Sequence, residues 1–215
     1  MLEKEWRKRL RFMIDLIFAS AMTILIINFN IPESVESEST QVFLRVLIGQ
    51  STQFTMFVIS FLVIAVYWVK NLEYFRMIKN IDKTIIWSHM IYLILIMQLP
   101  VLNLIFGLFP MGLGIRITFS ILMIAMGLIT FFIMYYAYRK GFLHSRFELS
   151  YVKLFTRQLL HEPAVALVAA ALAFVQPVLW DLSFILIPLL LIAGKRIKAK
   201  YIASYITSRQ TNRGK

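Results

Sequence analysis

The chain has 215 residues, of which 60% are apolar and only 16% are charged, and its formal net charge is +12. A soluble domain typically contains roughly 45–50% apolar and about 25% charged residues, so most of this chain is predicted to lie in a membrane. One membrane domain accounts for the length and leaves no room for a separate soluble enzyme domain. The absence of cysteine excludes disulfides, thiolate metal sites and cysteine nucleophiles. Basic residues occur in short clusters between apolar segments, which argues against nucleic acid as a partner.

Six apolar segments are candidates to cross roughly 30 Å of hydrocarbon as helices. The first is too long for a signal-peptide core and no small-x-small cleavage site follows it, so it is predicted to be an anchor. The last two are short and are predicted to form a tight hairpin near Pro177, with four spans and a re-entrant hairpin as the alternative. The segments are 12–31, 44–69, 84–106, 117–138, 164–176 and 178–194. The predicted fold class is an all-α integral membrane bundle of six transmembrane helices.

The distribution of lysine and arginine predicts the orientation of this bundle. Of the 23 basic residues, 21 fall in the N-terminal segment, the second and fourth connections and the C-terminal tail, and only Arg45 and Arg116 fall on the other side. Positive charge accumulates on the cytoplasmic side, so both termini are predicted to be cytoplasmic. We therefore expect a multi-pass cell-membrane protein with a transmembrane domain over 1–200. A basic cytoplasmic tail over 201–215 is expected to be attracted to anionic lipid.

Polar residues inside the apolar segments are few. The sequence contains no HExxH, GxSxG or Walker motif and no paired carboxylates within a span, so neither an enzyme nor a bound cofactor or metal is predicted. Asp15 lies in the first segment and requires a partner, for which Arg11, four residues earlier, is a candidate. His89 is interpreted as a hydrogen-bonded packing residue, with a proton site as the alternative.

One stripe of the first segment combines small hydroxyl and branched apolar residues. At 100° per residue, Ser20, Thr23, Ile24, Ile27 and Ile31 fall within about 100° of one another, and Asp15 points roughly the other way. Such a stripe suits a tight seam between helices. It also suits a narrow, mostly apolar ion path with a ring of hydroxyl groups. From the periodicity alone, the packing seam is the favoured interpretation.

The first three segments resemble those of a known family. RLRFMIDLIFASAMTILIINFNIP is similar to the opening helix of the transmembrane protein 175 family of potassium channels, at Arg9, Asp15, Phe18, Ala19, Ala21, Thr23 and Pro32. FVISFLVIAVYWVKNLEYF resembles the family's second helix at Ser60, Phe61, Tyr67, Trp68 and Phe75. IDKTIIWSHMIYLILIMQLP resembles its third at Asp82, Trp87, Leu99 and Pro100. The candidate structural signature consists of Arg9, Arg11, Asp15, Trp68 and His89.

The resemblance implies a tetramer of six-helix subunits around a pore that the first helix lines. It further implies a hydrophobic constriction in place of a carbonyl filter, which maps onto Ser20, Ile24 and Ile27, with Thr23 as a threonine layer. With the resemblance included, the pore-lining interpretation of the stripe becomes the favoured one. At Ser20 the chain has a small hydroxyl where the family places a large aliphatic residue.

The predicted function is therefore a potassium-preferring cation channel subunit, with potassium ions, membrane lipid and other copies of the chain as partners. Two alternatives remain at this point. One is a small secondary transporter or proton pathway that uses Asp15 and His89. The other is a membrane scaffold that does not conduct.

Overall fold

The computed structural model of the chain describes residues 2–27, 49, 51–109, 112–145 and 147–184. Within these residues the chain forms seven helices and a single isolated β-bridge. In chain order the helices are α1 (Leu2–Ile27), α2 (Ser51–Met77), α3 (Lys83–Leu108), α4 (Leu113–Arg139), α5 (Leu149–Gln158), α6 (His161–Ala173) and α7 (Pro177–Ser183). The predicted all-α membrane fold is confirmed.

Four of the described helices, α1 to α4, are long and apolar enough to cross a membrane. The bounds of α3 and α4 agree with the predicted third and fourth segments to within a few residues. By contrast, α2 continues eight residues beyond the predicted end of the second segment, to Met77. The reason is that Lys70 and Asn71, whose polarity suggested a loop, are buried inside the bundle with polar partners.

The predicted hairpin at the end of the chain is only partly within the described residues. After α6 ends at Ala173, α7 begins at Pro177, and the two helices pack against each other. Proline suits the first position of a helix because its missing N–H would have no intrahelical acceptor there. The rest of the sixth segment, the tail 201–215, the loop 33–40 and Ile31 lie outside the described residues, so the count of six spans stays a prediction.

Helix α5 was not expected, because its sequence was assigned to a connecting loop. Its ten residues are too few to span a membrane, but they are strongly amphipathic. Val152 and Phe155 on one side are buried against the bundle, as is Leu159 immediately after the helix. A short helix of this kind is stabilised mainly by packing of its apolar side, a contribution that loop composition does not reveal.

The connections that carry most of the predicted cytoplasmic charge meet at one end of the bundle. The Arg7 guanidinium donates a hydrogen bond of 2.8 Å to the carbonyl oxygen of Phe75, which places the start of α1 beside the end of α2. Ile78 and Leu143 form an antiparallel bridge that joins the α2–α3 and α4–α5 connections. The clustering of these basic segments agrees with the charge-based prediction, although it does not establish which side of the membrane this end faces.

Helices α4 and α6 approach each other closely at Gly127. A Cβ atom placed on Gly127 would lie 2.1 Å from Cγ of Pro163, which is far inside contact distance. The α6 side of the contact also carries the small buried residues Ala166 and Ala169. Small side chains let helix backbones approach closely in membranes, where packing takes over much of the role that hydrophobic burial has in water.

Substitution Gly127→Ala is therefore expected to lower the free energy of unfolding by about 1–3 kcal/mol, since the proline ring cannot move aside. Thermal unfolding of the purified protein in mild detergent, followed by intrinsic tryptophan fluorescence, measures the change. Gly114→Ala is the matched control, because it lies in the same helix and its added methyl group meets nothing within 4 Å. Equal unfolding temperatures for the two variants would contradict the proposed close contact.

Candidate functional site

Helix α1 has one side packed against its own subunit and one side left open. The packed side consists of Leu10, Ile14, Phe18, Ala21 and Leu25, which recur every three or four residues and are all at most 5% exposed. Only 28% of the most apolar stretch of α1 is buried, compared with 44–50% in α2, α3 and α4. Among the four membrane-crossing helices described, α1 is thus the least covered.

The predicted stripe lies away from this packed side. Thr23 and Ile27 are exposed, the latter by 73%, whereas Ser20 and Ile24 are half-buried at the margin. The Thr23 hydroxyl donates a hydrogen bond of 2.9 Å to the carbonyl oxygen of Ala19. Because the hydroxyl proton is engaged in this bond, the lone pairs of the Thr23 oxygen point away from it. Those lone pairs are what a cation would contact. The fifth stripe residue, Ile31, is not among the described residues.

Asp15 connects α1 to α2. The indole N–H of Trp68 donates a hydrogen bond of 3.0 Å to Oδ1 of Asp15. Arg11, the partner considered from spacing, approaches with Nε 4.0 Å from Oδ2, at the limit of an ion pair, and both side chains are about half exposed. The shorter contact of Asp15 is therefore the one with Trp68, and the spacing on a single helix could not have identified it. Arg9, the remaining signature residue of α1, is exposed.

Arg7 supplies a second connection between α1 and α2 that was missed from the sequence. Its acceptor, the carbonyl oxygen of Phe75, belongs to the last turn of α2, where carbonyl groups have no intrahelical donor. A basic side chain near a helix C-terminus is a recognised partner for such carbonyls. The aromatic-rich end of α2 was the available signal for this contact. Arg7 was used only in the count of basic residues that predicts the topology.

His89 lies in a separate buried cluster between α2 and α3. Its Nδ1 is 2.7 Å from the carbonyl oxygen of Ile85, and its Nε2 is 3.0 Å from the hydroxyl of Tyr74. Tyr74 in turn accepts a hydrogen bond from Asn71, and the Phe75 ring packs edge-on against the imidazole. Both ring nitrogens therefore have partners within the subunit. His89 and Asp15 do not contact each other and have different hydrogen-bond partners.

A buried ion pair at the basic end joins α2 to α6. The Lys70 ammonium group contacts the Glu162 carboxylate, with both residues less than 10% exposed, and it also donates 3.2 Å to the carbonyl oxygen of Gln158. The charge count had placed Lys70 in a loop, and that assignment was wrong. Glu162 provided a signal, because a lone acid at the start of an apolar segment requires a partner.

A second ion pair lies at the opposite end of the bundle. Arg116 had been counted as a loop residue, which was also wrong, since it is 1% exposed inside α4. Its guanidinium lies 3.3 Å from a carboxylate oxygen of Asp181 and stacks 4.7 Å from the ring centroid of Phe106. Trp180 packs on the same guanidinium and donates its indole N–H to Ser120. The isolated Asp181 in an apolar segment was the available signal.

Acidic and histidine side chains do not converge on a metal-binding arrangement in the part of the chain that the structure describes. The functional candidates there are the open stripe of α1 and the Asp15–Trp68 contact beside it.

Residues 9–100, a region that includes most of α1, all of α2 and most of α3, match the family model described as "Endosomal/lysosomal potassium channel TMEM175". The match covers less than half of the chain and makes its first three helices similar to those of the TMEM175 family. The match contains the stripe residues of α1 and both partners of the Asp15–Trp68 contact. No curated protein sequence matches the chain significantly.

Solved structures show a similar fold. The crystal structure of a lysosomal potassium-selective channel TMEM175 homologue from Chamaesiphon minutus superposes with a TM-score of 0.75 at 20% identity, and the alignment covers 88% of this chain and 98% of that one. A variant of the potassium channel MtTMEM175, in complex with a nanobody–MBP fusion protein, superposes with a TM-score of 0.58 at 20% identity, over 89% of this chain and 93% of that one. At this identity the likeness shows a shared fold for the whole described bundle, including α4 to α7 beyond the TMEM175 match.

The contact between Asp15 and Trp68 predicts a thermodynamic coupling between α1 and α2. In a double-mutant cycle with Asp15→Ala and Trp68→Phe, the coupling free energy is expected to be roughly 0.5–2 kcal/mol, as for other interhelical hydrogen bonds in membrane proteins. Trp68→Phe removes the N–H donor and keeps an aromatic ring. Unfolding in mixed micelles supplies the four free energies. Strictly additive losses would show that the two side chains do not interact.

Proposed function

We propose that this chain is a TMEM175-type subunit of a potassium-preferring cation channel, in which four copies surround a pore lined by α1. The observation that carries the proposal is the open side of α1. A membrane-crossing helix whose stripe of hydroxyl and branched apolar residues is uncovered by its own subunit suits a position at a central axis. The match of residues 9–100 to the TMEM175 family model and the fold shared with proteins described as potassium channels support the same conclusion.

The conduction path we propose depends on the order of side chains along the stripe. The sequence has no TVGYG carbonyl filter, so selection has to come from side chains. Ile24 and Ile27 form the narrowest apolar region, which gates by dewetting. Ser20 is too small and too polar to seal the pore at its level. Thr23 offers a ring of hydroxyl oxygens, one from each subunit, where potassium exchanges part of its hydration shell.

Asp15 and Trp68 have a structural role in this proposal, because they hold the angle of α1 relative to the rest of the subunit. Asp15 lies off the stripe and has a donor from α2, so it does not meet the ion. The basic end of the bundle faces the cytoplasm, in accordance with the positive-inside rule, and an even number of spans brings the C-terminus to the same side.

The two alternatives are distinguished by transport. A proton pathway or transporter built on Asp15 and His89 would need these residues to act together, whereas each has separate partners here. A scaffold would give no flux. Potassium and sodium flux from the purified protein in liposomes tests all three functions, and the channel proposal requires passive flux that prefers potassium.

Substitutions along the stripe test the pore assignment. Ile27→Asn is expected to raise resting flux by making the constriction wettable, Thr23→Val to weaken the preference for potassium, and Ser20→Ala to change little. Ile26→Asn is the matched control. Ile26 is also exposed, by 61%, but it lies about 100° around the helix from Ile27. Flux and selectivity are measured in liposomes with assembly checked in parallel. Unchanged flux in Ile27→Asn together with unchanged selectivity in Thr23→Val would show that the stripe does not line the pore.

The number of subunits is a separate prediction. A single copy of α1 cannot enclose a pore, and homo-oligomers usually close with rotational symmetry. Native mass spectrometry of the protein in mild detergent is expected to give a tetramer, and Asp15→Asn is expected to lower the tetramer yield without altering the selectivity of the remainder. A monomer that conducts in lipid would contradict the arrangement around α1.

The orientation is tested by cysteine labelling, since the natural chain has no cysteine. A membrane-impermeant maleimide is expected to label Ser37→Cys only from outside the cell. Ser145→Cys, an exposed position at the basic end, is the control and should react only after permeabilisation. The reverse pattern would invert the proposed topology.

A further inference from the structure

Helix α5 presents an exposed stripe of mixed chemistry on the side opposite its buried residues. The stripe recurs every three or four positions and continues one step past the end of the helix. Its members are Leu149, Lys153, Arg157 and Leu160, all exposed. Two basic residues are thus flanked by two leucines, of which Leu149 is 47% and Leu160 is 36% exposed.

The orientation of α5 is held by polar contacts as well as by packing. The Tyr151 hydroxyl donates a hydrogen bond of 2.6 Å to the Glu73 carboxylate on α2. Burial and this carboxylate raise the pKa of the Tyr151 phenol, so it remains a donor at physiological pH. At the other end of α5, the carbonyl oxygen of Gln158 accepts from Lys70. Rotation that would turn the exposed stripe toward the bundle would break both contacts.

The charge around the stripe limits what can bind it. Neither Lys153 nor Arg157 forms an ion pair with any residue that the structure describes. The same end of the bundle carries further exposed basic residues, namely Arg76, Lys79, Lys83, Arg139 and Lys140. A second copy of this end would therefore bring like charges together. The partner has to be anionic and also has to cover the two leucines, a combination that a phospholipid supplies through its phosphate and its acyl chains.

We propose that the stripe of Leu149, Lys153, Arg157 and Leu160 is a docking surface for anionic phospholipid in the leaflet at the basic end of the bundle. In this arrangement α5 is an interfacial helix. Lys153 and Arg157 contact headgroup phosphates, and Leu149 and Leu160 enter the boundary between headgroups and acyl chains.

Lipid selectivity tests the charge component. Native mass spectrometry of the full chain compares retained dioleoyl-phosphatidylglycerol with dioleoyl-phosphatidylcholine. The double variant Lys153→Gln/Arg157→Gln is expected to reduce the preference for phosphatidylglycerol about 25-fold, roughly fivefold for each basic residue removed near the surface. The control, Lys79→Gln/Lys83→Gln, removes the same charge at the same end but outside α5. A preference that is unchanged in the first variant, or equally reduced in both, would overturn the proposal.

Membrane depth tests the apolar component independently. A nitroxide attached to Leu160→Cys in vesicles containing phosphatidylglycerol is expected to collide more with oxygen and less with a water-soluble nickel complex than one attached to Ser145→Cys. Equal accessibility at the two positions would overturn the proposal. If polyglutamate also competes for the stripe in detergent, that outcome would instead assign the surface to an acidic protein partner.

Discussion

Charged side chains inside a membrane bundle have to be paired, and in this chain that requirement joins α6 to α2 and α7 to α4. Lys70 on α2 contacts Glu162 on α6 at the basic end, and Arg116 on α4 contacts Asp181 on α7 at the opposite end. Removing one partner from such a pair leaves an uncompensated buried charge, at a cost of typically about 3–5 kcal/mol. The two ion pairs therefore tell more about which helices are neighbours than about the net stability of the bundle. In the described structure each of the two acids has one basic side chain within ion-pair distance, so the pairing fixes the position of its helix. Together with the close contact of Gly127 and Pro163, they determine where α6 and α7 pack.

The packing of the remaining helices leaves α1 in a different position from the others. Its buried side inserts into the bundle, and at its N-terminal half the polar contacts from Arg7 and Asp15 connect it to α2. Beyond Asp15 the helix continues with residues whose outer side is uncovered. In the proposed channel, firm attachment at one end and an open face at the other suit a pore-lining helix, because the ion path has to keep its radius while each of four subunits contributes a quarter of its wall. In that proposal, the contacts of Arg7 and Asp15 fix the angle of α1 relative to α2.

Helix α5 belongs to a connection between membrane-spanning segments, and polar contacts attach it to the bundle. Lys70 contacts both Glu162 and the last carbonyl of α5, and Glu73, one turn further along α2, accepts from Tyr151. The C-terminal part of α2 therefore contacts both α5 and α6. Trp68 precedes Lys70 by two residues and Glu73 by five, so the side chains that contact α1 and α5 come from one segment of less than two turns. The basic surface of α5 and helix α1 are therefore attached to the same part of α2.

The sequence by itself determined the membrane class, the positions of the long helices and the clustering of basic charge. These follow from hydropathy and charge asymmetry, which are properties of short stretches of the chain and depend on no distant partner. It also carried the resemblance to the TMEM175 family in the first three helices and identified the polar residues of α1. Only the tertiary structure decided that Trp68 is the closest partner of Asp15, that Lys70 and Arg116 are buried, and that 149–158 is a helix. Each of these depends on a side chain from a distant part of the chain. In the sequence, a charged residue that ends a membrane span cannot be told from one that is buried inside the bundle. The two cases differ in whether a partner is present, because a charged side chain can lose its water only where a partner replaces it.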